Sequence, residues 1–500
     1  MKKLYVLLAT ALLPVVSFAQ TAVYKQSFDK DTGYVTCAGI RGTALNLGPE
    51  VATRKVVTRP YVLNKYDGAY TVICWVKAQP SRQGYVLLQA VSGTEEAAAG
   101  WSLGVQENGA WYWKIKQQKG TYQYMPTPER QNIRDNKWHQ LAYSYNDVKE
   151  ECALYYDGQQ VAIYYTAGIK GAQQAEILAA GGAIQGDLGE WATFNGALDE
   201  IALYKTILSP DDISNDYTKY VAGKKKTPQL PAGAPLKVMN YNIWHGGNET
   251  GKEVGPQRIA AVIRASGADV ITMQETYGSG ERIADALGYY FYLRSTNLSI
   301  MSRYPIAETL RGAHAFCNGG VFIQLDATRR VAVVNNWLSY PFDYWDMLEK
   351  KQPIGVDTLV TRMEEHNGAQ LRKNLDAIDK VIAHADEIPV IFSGDFNSGS
   401  HLDWTPATRH LNEGLVVPFP QSNIMQEAGF TDSYRQLHPD PLKDRGITWS
   451  PQFPHAFKDR IDYIYYKGKK LQPLTSVTIS THPVHYPSDH AALMTSFRVQ

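Results

Sequence analysis

The stretch Ile388-Pro-Val-Ile-Phe-Ser-Gly394-Asp395-Phe-Asn397 decides how this chain reads. Its apolar run has the length of a buried strand, and it stops at Gly394 and two polar side chains. A strand that carries Asp and Asn to its C-terminal mouth is how an α/β sheet builds a binding site. Asp395 and Asn397, two apart on an extended chain, fall on one side. There they can hold a water and a phosphoryl oxygen together. An ordinary turn after a core strand uses the same letters, so the surrounding sequence must decide.

Outward from this strand, residues 236–500 mix strand and helix patterns. Strands are expected at Leu236–Asn242, Asp269–Glu275, Tyr289–Leu293, Leu298–Met301, Gly320–Leu325, Val331–Leu338, Ile461–Tyr466, Leu471–Ile479 and Ala491–Val499. Apolar stripes predict helices at Pro256–Ala265, Arg282–Leu287 and Gln370–Ala383. This is not a strict βαβ series; two packed sheets with outer helices fit better. Polar residues gather at strand ends: Asn242, Glu275 after Gln274, Arg460-Ile-Asp462-Tyr463, and Ser488-Asp489-His490.

In that order the set resembles the DNase-I-like endonuclease/exonuclease/phosphatase superfamily, with motifs N, QE, GD-x-N, RxDY and SDH. The resemblance implies a four-layer α/β sandwich and divalent-metal-assisted hydrolysis of phosphate esters. It implies Mg²⁺, with Mn²⁺ as the alternative ion, on Glu275, Asn242 and Asp489. His490 would hold or protonate a phosphoryl oxygen or act as base, with Asp462 fixing its tautomer. Asp395 would orient the attacking water, and Asn397 would donate to the transition-state oxygen. Asn242 counts in both the metal and the catalytic set. One departure stands out: Trp337 in Asn335-Asn336-Trp337-Leu338 occupies the position of a His in many members. The leaving-group acid must then come from elsewhere. His245 and His401 are candidates, Trp337 is a candidate wall, and Arg460 a candidate substrate contact.

Residues 21–222 read as short alternating strands with turns at Asn108-Gly109 and Asp157-Gly158, which argues an all-β sandwich. Lys137-Trp-His-Gln-Leu-Ala142, Leu154-Tyr-Tyr-Asp-Gly158 and Gly196-Ala-Leu-Asp-Glu200 resemble signatures of the laminin-G/concanavalin-like jelly roll. That resemblance implies a glycan or protein ligand, in some members with Ca²⁺; no residue here supports Ca²⁺. Trp111, Tyr112, Trp113, Tyr122 and Tyr124 offer either a sugar platform or core filling, and core filling is favoured. Residues 223–235, with three lysines and three prolines, are expected to be an exposed linker.

Met1-Lys-Lys3, an apolar run from Leu4 to Val16 and Ser17-Phe-Ala19 have the form of a cleaved signal peptide, so a secreted or periplasmic protein is expected. Three of the four cysteines (Cys37, Cys74, Cys152) lie in the first half, which leaves room for one disulfide. The net charge is +1, and residues 235–500 hold 28 acids against 26 bases. A basic stripe of the kind that strong nucleic-acid binders carry is missing. The reading is a monomeric secreted phosphoesterase, phosphodiesterase favoured, acting on an extracellular phosphate ester. The alternatives are an endonuclease and a non-catalytic binding protein.

Overall fold

The computed structural model describes residues 20–500 apart from 31–32, 52–54, 93–98, 172–173, 185–193, 224–225 and 341. The segment with the form of a signal peptide, residues 1–19, lies outside the described residues.

In the first half, one sheet contains Gly196–Tyr204, Tyr70–Ala78, His139–Asn146, Glu151–Tyr156 and Gln159–Tyr165 in that spatial order. A second is built on Tyr85–Val91, Gly100–Val105, Trp111–Gln117 and Gly120–Tyr124. Asp157 (φ +50°) and Gly158 (φ +72°) make the two-residue turn between adjacent strands, the left-handed geometry such hairpins require. Between the sheets, Tyr143 meets Trp101 at 5.3 Å and Trp113 at 6.0 Å. Trp111, Trp113 and Tyr124 are buried in this core. Their rings therefore fill the sandwich and are not a sugar platform; Tyr112 and Tyr122 are half-buried. All four cysteines are free thiols, so the one disulfide for which the first half leaves room is not formed.

The second half has four layers. Leu236–Asn242, Val270–Gln274, Ser299–Ser302, Ala492–Val499 and Leu471–Ile479 belong to one sheet. Asn318–Gln324, Arg330–Trp337, Val390–Asp395 and Asp462–Lys467 belong to the other. Strand alternation divides their side chains between two cores. Ile391 joins Val238, Val270, Val333 and Ile464 between the sheets. Val390 and Phe392 point the other way, onto Leu371 and Leu375 of helix Ala369–Asp376. Helices Val254–Ser266 and Gly280–Leu287 cover the outer face of the first sheet.

The helix expected over Gln370–Ala383 is two, Ala369–Asp376 and Asp379–Ala383, because Ile378 leaves helical geometry (φ −123°, ψ 21°). Helices Tyr344–Glu349, Val356–Met363 and Pro420–Glu427 were not anticipated. Among the described residues no helix is long and apolar enough to cross a membrane.

The two halves share a sheet. Gln159–Tyr165 pairs in parallel with Tyr290–Leu293, which makes a fourteen-stranded sheet across the boundary. Asp285 accepts from Thr127 and Gln131, and Glu151 accepts from Tyr292 and Thr309. The linker also departs from expectation: Leu230 is buried, and its N–H donates to the Leu325 carbonyl at 2.7 Å. Beside this junction, burial pushes the Glu281 carboxyl up to about 7. A raised carboxyl pKa favours the folded state below the ordinary value and loses that advantage as pH climbs to about 7. Glu281→Gln is therefore expected to raise the melting temperature at pH 8 and leave it nearly unchanged at pH 4.5, which thermal denaturation at the two pH values reads directly.

Candidate active site

Strand register brings the scattered polar residues together. Asn242 pairs with Gln274, so Glu275 follows directly beside it. The last strand runs antiparallel to the first, with Asn240 opposite Leu493, and this delivers Ser488-Asp489-His490 to the same end. On the other sheet Asp395 lies opposite Asp462. Both sheets open at this edge into a cleft of about 370 Å³ lined by Glu275, Asp395, Asn397, Asp489 and His490.

The hydrogen bonds fix roles. His490 Nδ1 donates to Asp462 Oδ2 at 2.8 Å, and its Nε2 lies 4.0 Å from Asp395 Oδ2. That gap is too long for a direct hydrogen bond; an oxygen atom entering from the cleft can touch both. Asn242 Nδ2 donates to Glu275 Oε1 (3.2 Å) and Asp395 Oδ2 (3.1 Å), linking the two carboxylates. Asn397 N–H donates to Asp395 Oδ1 at 2.9 Å, and its side-chain amide to the Leu338 carbonyl and Asp395. Ser488 Oγ donates to the Asn242 carbonyl at 2.6 Å and accepts from His490 N–H at 3.1 Å. Removing that hydroxyl loosens the histidine without touching the chemistry. Ser488→Ala is expected to lower kcat about tenfold while the fold holds, as initial rates and circular dichroism would show.

Below the cleft a polar layer joins the sheets. Asn240 donates to Asp462 (3.1 Å), Gln274 to both Asn240 (2.9 Å) and Asn335 (2.6 Å), and Thr272 meets Ser393 at 2.8 Å. Backbone strain gathers at the rim. Trp244, His245, Glu275 and Asn397 all have φ between +45° and +57°, a left-handed geometry that costs about 1–2 kcal/mol per residue. Such strain concentrates at functional positions.

Burial raises the Asp395 carboxyl above its ordinary range; His490 opposes this and Asp462 adds to it. Asp489 is pushed up to about 6 by burial, with His490 opposing and Glu275 adding. Burial disfavours the charged form of His490, yet Asp462, Asp395 and Asp489 hold its pKa well above the ordinary value.

Two donor groups could take a cation. Asp395, Asp462 and His490 place one ligand atom each within 4.8 Å of one another, but His490 Nδ1 and Asp462 are already bonded to each other. Glu275 and Asp489 offer hard carboxylate oxygens on the cleft, and Asp489 Oδ1 is buried with no hydrogen-bond partner. That orphaned oxygen fits a divalent cation. Asn242 fits less well as a ligand. It turns its amide nitrogen to the carboxylates, and its Oδ1 accepts from Trp244 N–H at 3.1 Å.

The other sequence candidates separate. His245 lines the cleft, with Nδ1 2.8 Å from Glu249 and Nε2 3.6 Å from Glu275. His401 is held by Ser422 and Gln426 and does not line the cleft. Trp337 packs edge-on to Phe316 and Tyr340; of these rings only Tyr340 lines the cleft. Arg460 is buried, with its guanidinium paired to Asp403 and Asp432 at 2.7 Å, so it holds the core and meets no substrate. Sequence reasoning missed Trp244, Trp345 and Trp449 and the acids Asp343, Asp346 and Glu349, all of which line the cleft. The acids' three-residue spacing was the available signal.

A family model described as Endonuclease/Exonuclease/phosphatase family matches residues 239–490. The chain belongs to the endonuclease/exonuclease/phosphatase family. Its second half is thus a metal-dependent phosphoric ester hydrolase domain. A model of the concanavalin A-like lectin/glucanases superfamily matches residues 52–214, in the sandwich. An uncharacterised protein of Caenorhabditis elegans is 27% identical over 311 residues, covering 52% of this chain and 91% of its own. Among solved structures, truncated Caenorhabditis elegans TDP2 is 17% identical, covers 53% of this chain and 98% of its own, and has a TM-score of 0.36. The human Nocturnin catalytic domain with bound sulfate is 16% identical, with 53% and 95% coverage and a TM-score of 0.38. This family fold accounts for the convergence of Asn242, Glu275, Asp395, Asp462 and His490 at one cleft.

Proposed function

We propose that this protein is a secreted, Mg²⁺-dependent phosphodiesterase. The observation that supports this most is the arrangement of His490 Nε2 and Asp395 Oδ2, 4.0 Å apart on a cleft that also exposes Glu275 and Asp489. Glu275 and Asp489 would hold the cation, whose chemistry when bound is to offset charge on phosphoryl oxygens. Asp395, kept in place by Asn242 and Asn397, orients the attacking water. His490, charged through its contact with Asp462, donates from Nε2 to a phosphoryl oxygen. Asn397 commits its backbone N–H and both side-chain amide hydrogens to Asp395 and the Leu338 carbonyl, so it positions Asp395 and is not the donor to the transition-state oxygen that the sequence suggested. Secretion is supported by the leader sequence Met1–Ala19.

The test is hydrolysis of bis(4-nitrophenyl) phosphate by the mature chain in Mg²⁺ and in chelator, beside Asp395→Ala. Turnover is expected only for the unaltered protein with metal. Equal rates under all conditions would defeat the reading.

A further inference from the structure

Thr448 is fully buried and does not line the cleft, yet it is bonded on both sides of the His490–Asp462 pair. Its Oγ1 accepts from the backbone N–H of Ile461 at 3.0 Å and of Asp462 at 3.1 Å, where strand Asp462–Lys467 opens. Its carbonyl accepts at 2.8 Å from the N–H of Ala491, the residue after His490. Its own N–H donates to the Asp459 carbonyl at 3.1 Å. Through Trp449, the segment Thr448-Trp449 pairs in antiparallel sense with Asp459 on one side and His490 on the other.

Two successive buried N–H groups need an acceptor, and one hydroxyl oxygen with two lone pairs serves both. Where this happens is what matters. The Asp462 carboxylate is held at its tip, Oδ1 by Asn240 at 3.1 Å and Oδ2 by His490 Nδ1 at 2.8 Å. Thr448 holds the same residue at its root. On the other side, the His490 N–H donates to Ser488 Oγ, the next N–H donates to Thr448, and the Trp449 ring packs 5.1 Å from the imidazole. Thr448 thus ties the backbone that carries the carboxylate to the backbone that carries the histidine. Misplacing a reacting group by about 1 Å costs about 10²-fold in rate.

We infer that Thr448 is a positioning residue for the reaction. Its hydroxyl sets the Asp462 backbone so that the carboxylate meets His490 Nδ1 and Nε2 stays aimed at the phosphoryl group. This rests on the phosphodiesterase reading, in which His490 donates. The test measures hydrolysis of bis(4-nitrophenyl) phosphate in Mg²⁺ by Thr448→Val and Thr448→Ser, each alone and combined with Asp462→Asn. Valine is expected to lower kcat about tenfold with KM nearly unchanged, whereas serine, which keeps the acceptor, stays within about twofold of the parent. Combined with Asp462→Asn, valine should change kcat by less than about twofold, because the contact it serves is already lost. A residue that only supports the fold would cost the same factor in both backgrounds. That result, or a serine variant as slow as the valine one, would overturn the proposal. Should Thr448→Val not fold, Thr448→Cys, a weak sulfur acceptor of similar size, carries the same comparison. If the parent hydrolyses no ester, the phosphodiesterase reading has failed instead. The downfield proton resonance of His490 Nδ1–H, assigned by its loss in His490→Ala, then still decides. It is expected to move upfield in the valine variant and hold in the serine one; no movement in valine would overturn the proposal.

Discussion

His490→Ala is expected to lower kcat on bis(4-nitrophenyl) phosphate about 10³-fold, with KM little changed and the fold intact. The imidazole is buried and among the described residues its side-chain hydrogen bond is to Asp462, which leaves its Nε2 facing the cleft. A group that acts on the phosphoryl oxygens only as charge develops there affects kcat and leaves ground-state binding almost alone. The fold should tolerate the change because Asp462 keeps its bond from Asn240. Asp462→Asn should cost less, about 10²-fold, since the imidazole remains but loses the carboxylate that charges and orients it. Steady-state kinetics on both variants check the order. A His490→Ala enzyme within threefold of the parent would mean that another residue handles the phosphoryl group.

Asp489→Asn is expected to do two opposite things. Without metal it should stabilise the fold by about 1–2 kcal/mol, because it removes a buried charge whose Oδ1 has no partner. With metal it should raise the Mg²⁺ concentration for half-maximal activity about 100-fold, because the same oxygen is a proposed ligand. Glu275→Gln should show the second effect without the first. Its two carboxylate oxygens already accept from Asn242 and from His245 N–H, so little unpaired charge is relieved. Thermal melts with and without Mg²⁺ separate the two variants. Stabilisation of both, or of neither, would show that Asp489 is not the strained member of the pair.

Much of the site was legible because a strand end announces itself in sequence. Asn242, Glu275 and Asp395 each follow an apolar run and Asp489 precedes one, and sheet register then carries them to one edge. The four layers were legible for the same reason: apolar residues of period two and three and a half sort into the cores seen around Ile391 and Phe392. Other features depended on tertiary context. Arg460 belongs to a strand-end motif, but only the structure shows Asp403 and Asp432 closing around it. The orientation of the Asn242 amide is set by Trp244 N–H and two carboxylates from different strands. Helix Tyr344–Glu349 is only six residues long, too short to show an apolar stripe, which left the three-residue spacing of its acids as the signal in the sequence. The parallel pairing of Gln159–Tyr165 with Tyr290–Leu293 joins segments some 130 residues apart, which no local pattern encodes.

A crystal of the mature protein soaked in Mn²⁺, with data collected at the manganese absorption edge, probes the cation position without reference to turnover. Anomalous density within bonding distance of the Glu275 and Asp489 carboxylates is the predicted result. A peak confined to Asp395, Asp462 and His490, or none anywhere in the cleft, would contradict the assignment of those residues.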